Sequence, residues 1–168
     1  MNLFVKGAML TAVVAVFGAT SAAAQNTDND DIAVTATVET ALSVTGVTDL
    51  AFGSVFPGFG RTILATAPAS GEFQIAGGNS GGVDLTFTLP ATLSDGGVNT
   101  MPVSFTAAAG DDRATAGNFD PAVLLQATLD ATTGLLNVYL GGTVTAAPTQ
   151  VAGNYSATVT LTATYNGL

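Results

Sequence analysis

The sequence contains no histidine, no cysteine and no tryptophan, and it carries only three cations among 168 residues. Without histidine or cysteine, the commonest general base, the thiol nucleophile and the usual transition-metal ligands are missing. Neither a Ser-His-Asp nor a Cys-His arrangement can be assembled. Two carboxylates can hydrolyse glycosides without either residue, but such a site wants an aromatic-rich, sugar-sized cleft. Tryptophan is absent, and the acidic residues fall mainly in the N-terminal region and in turns. The chain is therefore expected not to be an enzyme and to use no cofactor and no metal. Lack of cysteine also rules out disulfides, so apolar burial and β pairing have to supply the stability.

Long hydrophobic runs are equally scarce. The one candidate is residues 7–19, an unbroken apolar and small-residue stretch that follows Lys6 and precedes Ser21-Ala22-Ala23-Ala24. A positive start, a short apolar run and a small-x-small site form the secretory signature, and the run is too short to span a bilayer as a helix. Cleavage after Ala24 leaves about 144 residues, one domain's worth of chain. That length can bury a core of its own. Removing Lys6 leaves Arg61 and Arg113 against twelve carboxylates, a net charge of about −10. Such a surface repels phosphate backbones and anionic lipid, so the reading includes no nucleic acid and no direct membrane insertion. It places the protein beyond the inner membrane, in the periplasm, at the cell surface or fimbrium, or outside the cell. Scarce lysine also removes a common means of blunting exposed strand edges.

What is abundant is threonine, valine, alanine and glycine in alternation of period two. In residues 155–165, Tyr155, Ala157, Val159, Leu161, Ala163 and Tyr165 face one way, while Ser156, Thr158, Thr160, Thr162 and Thr164 face the other. A strand with one face on a core and one on water reads this way. Further strands are expected over 32–38, 41–47, 49–52, 62–66, 72–76, 83–89, 101–106, 123–129, 135–140 and 143–146. The separators between them are rich in Gly, Pro, Asn and Ser. Many short strands with such punctuation indicate an all-β antiparallel sandwich. Residues 25–31 read as a flexible acidic leader, 111–120 as a polar loop, and 32–168 as a single domain. The phenylalanines Phe52, Phe56, Phe59, Phe73, Phe87, Phe105 and Phe119 are expected to pack its core.

Three glycine-rich or acidic stretches have chemical readings that the pattern does not favour. The run from Gly77 to Asp84 resembles a single calcium β-roll repeat, but such repeats work in tandem and a hairpin loop is the simpler reading. Gly141-Gly142 lacks the lysine and helix of a phosphate loop. Asp111, Asp112 and Asp120 offer hard oxygens for Ca²⁺, yet their spacing matches no calcium loop. Asn154-Tyr155-Ser156 is formally a glycosylation sequon and fits a strand-entry turn better.

Two segments carry a family resemblance. Near the front, Val34-Thr35-Ala36-Thr37-Val38 leads through Leu42-Ser43-Val44 to Asp49-Leu50-Ala51-Phe52-Gly53. Near the end, Gly141-Gly142-Thr143-Val144 leads to Ala152-Gly153-Asn154-Tyr155 and the alternating run closing at Tyr165. Together these resemble the exported bacterial DUF4402 family. They are also similar to the spore-coat-U and archaic chaperone–usher pilin-like domains, although the cysteine pair common in the spore-coat-U group is missing. The resemblance implies an immunoglobulin-like, pilin-like sandwich completed by a donor strand. It further implies a structural subunit of a surface filament, with a periplasmic chaperone and an outer-membrane usher as partners.

The residues offer a parallel argument. Ile32, Val34, Ala36 and Val38 alternate with Ala33, Thr35, Thr37 and Glu39 directly after the polar leader, a ribbon suited to lie apolar face down in a neighbour's groove. Residues 32–44 are thus the candidate donor strand. The pilin-like resemblance implies a Gly and a near-terminal Tyr flanking the last strand, here Gly153 and Tyr165, and with Tyr155, Val159 and Leu161 of the alternating run they form the candidate C-terminal strand and acceptor edge. A strand given by one subunit and received by the next makes a head-to-tail contact that propagates as a homo-oligomeric filament. The alternative is that residues 32–38 complete their own sandwich, leaving a self-complete secreted binding or adhesion protein.

Overall fold

The structure is a computed structural model and describes residues 28–167. Among these residues there is no helix. Ten strands form: β1 (Ser43–Thr48), β2 (Gly60–Ile63), β3 (Gly71–Ala76), β4 (Gly82–Thr88), β5 (Thr92–Ser94), β6 (Thr100–Gly110), β7 (Gly117–Phe119), β8 (Leu125–Thr128), β9 (Leu135–Thr145) and β10 (Thr160–Tyr165). They pair antiparallel in two sheets. The larger has seven strands in the order β1-β3-β9-β6-β5, with β2 added beside β9 and β7 beside β6. The smaller is β10-β4-β8. The result is the all-β antiparallel sandwich that the alternation implies. Residues 37–167 belong to one compact unit, and residues 28–36 fall outside it.

The main core lies between the sheets. Ile75, Val83, Leu85, Leu129, Leu136, Val138 and Leu161 are buried together there. Phe73, Phe87 and Phe119 pack against this cluster with ring centroids 6.1 and 6.3 Å apart along the series. A β-branched or leucine side chain buried this fully contributes about 1.5–3 kcal/mol. Phe56 and Phe59 depart from the core expectation, being 72% and 68% exposed on the turn before β2. The Gly58 N–H donates to the carbonyls of Ala146 and Ala147, the Phe59 carbonyl accepts from the Ala146 N–H, and the Phe59 N–H closes the turn on the Phe56 carbonyl.

β9 crosses the middle of the larger sheet. One of its edges pairs with β3 and then β2, and the other pairs with β6 over residues 137–144. Two separate strands were expected here, divided at Gly141-Gly142. The chain instead runs straight through. A side chain at Gly141 would strike the backbone of Ile63 and Ala65, and one at Gly142 the carbonyl of Ser104. These glycines permit close backbone approach, a role that glycine takes inside strands as readily as in turns.

The outer face of β9 is covered by loops. Tyr139 is buried there with Ala65, Ala108 and Ala116. Arg113 lies over its ring, 4.5 Å from the centroid. The same guanidinium donates to Ser70 Oγ, to the carbonyls of Ser70 (3.0 Å) and Ala67 (3.2 Å), and to Glu72 in an ion pair at 2.5 Å. Burial raises the Tyr139 phenol above its ordinary pKa, with the Glu72 charge adding to the rise and Arg113 opposing it. The stretch 111–120, expected as a polar loop, therefore contains an anchoring cation and the short strand β7.

Several of the expected strands fail or shorten, among them 123–129, which keeps only Leu125–Thr128. Residues 28–42 hold no regular structure, and Ile32, Val34 and Val38 are 87%, 89% and 94% exposed. Alternation supplies a strand with an apolar face, but a strand also needs an edge to pair with. The ribbon has no pairing partner among the described residues. Residues 49–52 are irregular as well. The C-terminal run pairs with β4 only from Thr160 onward, and the residues before it touch a ladder at one point, a bridge between Ser156 and Ser94.

Candidate functional site: an open trough

β1 and β10 are edge strands of different sheets, and they approach each other at one end. At that end Leu42, Val44 and Ala163 pack on the main core. A hydrogen-bonded clasp closes it: the Tyr165 hydroxyl accepts from the Gly78 N–H (2.6 Å) and donates to the Thr40 carbonyl (2.8 Å). Gly77 and Gly81 make room for the ring, since a Cβ at either would collide with it.

At the other end the two strands give way to irregular chain and a cleft opens. Residues 48–57 line one wall in unbroken succession and residues 150–159 line the other. The floor includes Phe73, Leu93, Met101, Phe105 and Leu140 from the larger sheet; Glu72 of the same sheet and Asp49 of the first wall also line the trough, and polar groups line it about as much as apolar ones. The volume is about 1090 Å³, at the upper limit of a small-molecule cleft. Phe52, Val55 and Tyr155 lean inward onto a cluster around Met101, Val144 and Ala146. No backbone–backbone hydrogen bond joins residues 49–55 or 157–159 to a described residue. Both walls thus present unpaired peptide groups, the condition that invites an added strand.

Of the candidate acceptor residues, the structure brings Gly153, Tyr155 and Val159 together in the trough. Tyr155 is half-buried, and its hydroxyl donates to the Val151 carbonyl at 2.8 Å. Leu161 lies in the main core and Tyr165 in the clasp, away from the trough. Ile32, Val34, Ala36 and Val38 are exposed and in no strand. The wall 48–57 was not foreseen, because residues 49–52 read as an ordinary strand running into a turn and nothing local shows that the strand stays unpaired.

The acidic residues do not gather. Among the described residues there is no group of three or more His, Cys, Asp or Glu able to hold a metal. Asp112 caps its own turn by accepting from Ala114 N–H, and Asp120 does the same for Ala122. Asp130 Oδ1 accepts from Thr132 N–H, Thr133 N–H and the Thr133 hydroxyl. These bonds, led by the Thr133 N–H, hold its carboxyl below the usual carboxylate range. Asp95 is lowered likewise, first by the Asn99 side chain and then by the Gly97 N–H. A second, smaller cavity of about 470 Å³ lies among Leu64, Ala65, Thr66, Thr106, Ala107, Asn118 and Phe119 and contains no ionisable group.

A family profile described as "Domain of unknown function (DUF4402)" matches residues 42–165. Comparison with curated proteins finds no match. The matched span begins just before β1 and ends on the clasp residue Tyr165. It therefore takes in both walls of the trough and leaves out the ribbon 32–38.

Proposed function

We propose that this chain, which belongs to the DUF4402 family, is a non-catalytic structural subunit of an exported surface filament that polymerises by strand donation. The observation that carries this reading is the trough whose walls leave the backbone of residues 49–55 and 157–159 without backbone partners among the described residues. An exposed ribbon of alternating apolar residues in the same chain matches it in kind. Strand addition would satisfy the open peptide groups, while Ile32, Val34, Ala36 and Val38 of a second copy would cover the apolar floor. The likeness to spore-coat-U and chaperone–usher pilin-like domains supports the same reading. It adds a chaperone that would shield the trough before assembly and an usher that would exchange one occupant for the next.

The experiment uses the chain from Gln25 and a form truncated to begin at Glu39, which loses the ribbon and keeps Thr40 for the clasp. The first should grow into high-mass species that survive dilution. The second should stay short, and its thermal midpoint should rise when a peptide of residues 26–44 is added. A truncated form already at full stability and indifferent to the peptide would sink the proposal. It would leave a self-complete sandwich whose trough takes a different ligand.

A further inference from the structure

The clasp and the trough lie at opposite ends of the same two strands. Thr40 precedes β1 and Tyr165 ends β10, whereas the walls follow β1 and precede β10. Six extended residues separate the ends by about 20 Å. The chain upstream of Thr40 therefore departs from the clasped end, while the trough runs out to the turn carrying Phe56 and Pro57. For copies to follow one another along a common axis, the clasped end of one has to sit on the Phe56 end of the next.

The two ends differ in the way such a contact requires. At the far end, Phe56 and Phe59 expose their rings. Arg61 lies beside Gly53 there and, unlike Arg113, has no ion pair among the described residues. The acids on the trough side are Asp49 on the first wall and Asp95 beside Gly153, the Asp95 carboxylate being occupied by Gly97 and Asn99. The clasped end carries carboxylates and no cation among the residues named there. Glu39 lies against Gly78, Asp84 accepts from Asn166 just beyond β10, and Asp130 supports the turn that touches Ser80.

Resting on strand donation as the mode of assembly, we infer that a second copy of this chain docks its clasped end on the aromatic turn, with Glu39 of the incoming copy facing Arg61. The ribbon then enters the trough with Val38 at the Phe56 end. It runs alongside residues 48–57 in the same direction and antiparallel to residues 150–159.

The test follows polymer growth of the chain from Gln25 by light scattering and electron microscopy at low ionic strength. Arg61→Glu and Glu39→Arg should each slow elongation about tenfold, as loss of a steering pair does. The double variant should return to within about twofold of the starting chain. Phe56→Ser with Phe59→Ser should slow growth comparably while leaving the thermal midpoint of the subunit unchanged. Single charge variants that elongate normally, a double variant slower than either single, or an indifferent aromatic pair would each overturn the junction. The peptide of residues 26–44 separates the two levels. If it still stabilises the truncated form while the charge swaps do nothing, only the docking geometry is wrong. If it does not bind, strand donation fails and the junction with it.

Discussion

Arg113 joins Ser70, Ala67 and Glu72 from the stretch before and within β3, and caps the ring of Tyr139 on β9. Arg113→Ala should lower stability by about 2 kcal/mol, because charge-assisted hydrogen bonds to half-buried partners are lost together. Urea unfolding should show a lower midpoint with an unchanged slope. Asp130 permits a test by pH. Its folded pKa is depressed, so its contribution is present above the unfolded value, near pH 4, and is lost as pH falls below it. Asp130→Asn should therefore reduce the drop in thermal midpoint between pH 7 and pH 3. Tyr139 has the opposite sign: its raised pKa makes stability fall as pH climbs past about 10, where the unfolded phenol ionises first. Tyr139→Phe should flatten that alkaline limb.

Among the elements, alternation identified nearly all the strands that bury a face, because burial on one side is what period two reports. β3 and β4 lie where their patterns put them, β6 runs on to Gly110 past the expected 101–106, and β10 keeps only the last six residues of the run 155–165. Pairing is what the pattern cannot report. Residues 32–38, 49–52 and 155–159 have strand sequences and no ladder, since an edge is supplied by chain that is distant or belongs to another copy. The candidate site is made of those unpaired pieces, so its ribbon and one wall could be read in advance while the trough could not. Two substitutions separate these roles. Val34→Asp and Val38→Asp should leave the thermal midpoint of the subunit unchanged, both side chains being exposed, yet should block assembly by setting an unpaired carboxylate against the Met101, Phe105 and Leu140 part of the floor. Gly141→Val should do the reverse and destabilise the subunit by about 3 kcal/mol through overpacking against Ile63 and Ala65, measured by chemical unfolding.

The molecule as a whole carries its charge one-sidedly, with twelve carboxylates and three cations in the full sequence. Copies of such a body repel at long range, and the repulsion reaches about 30 Å at 0.01 M salt but only about 8 Å at 0.15 M. Assembly of the starting chain should accelerate between these concentrations, with light scattering as the readout. Beyond 0.15 M the gain should level off as the short-range Glu39–Arg61 attraction is screened in turn. The low count of charges, 9% of residues, also means that few gatekeepers protect the strands before they pair.

β9 has a consequence for how the chain reaches this state. It is the strand that joins β3 and β2 on one side to β6 on the other, and it comes late in the sequence. During synthesis, everything from Ser43 to Gly110 can form local hairpins at most, and the large sheet waits until Thr145 has emerged. Ordering through so distant a keystone is slow. Throughout that wait the half-built edges stand bare, and a nascent copy is most open to mistaken pairing before its ninth strand arrives.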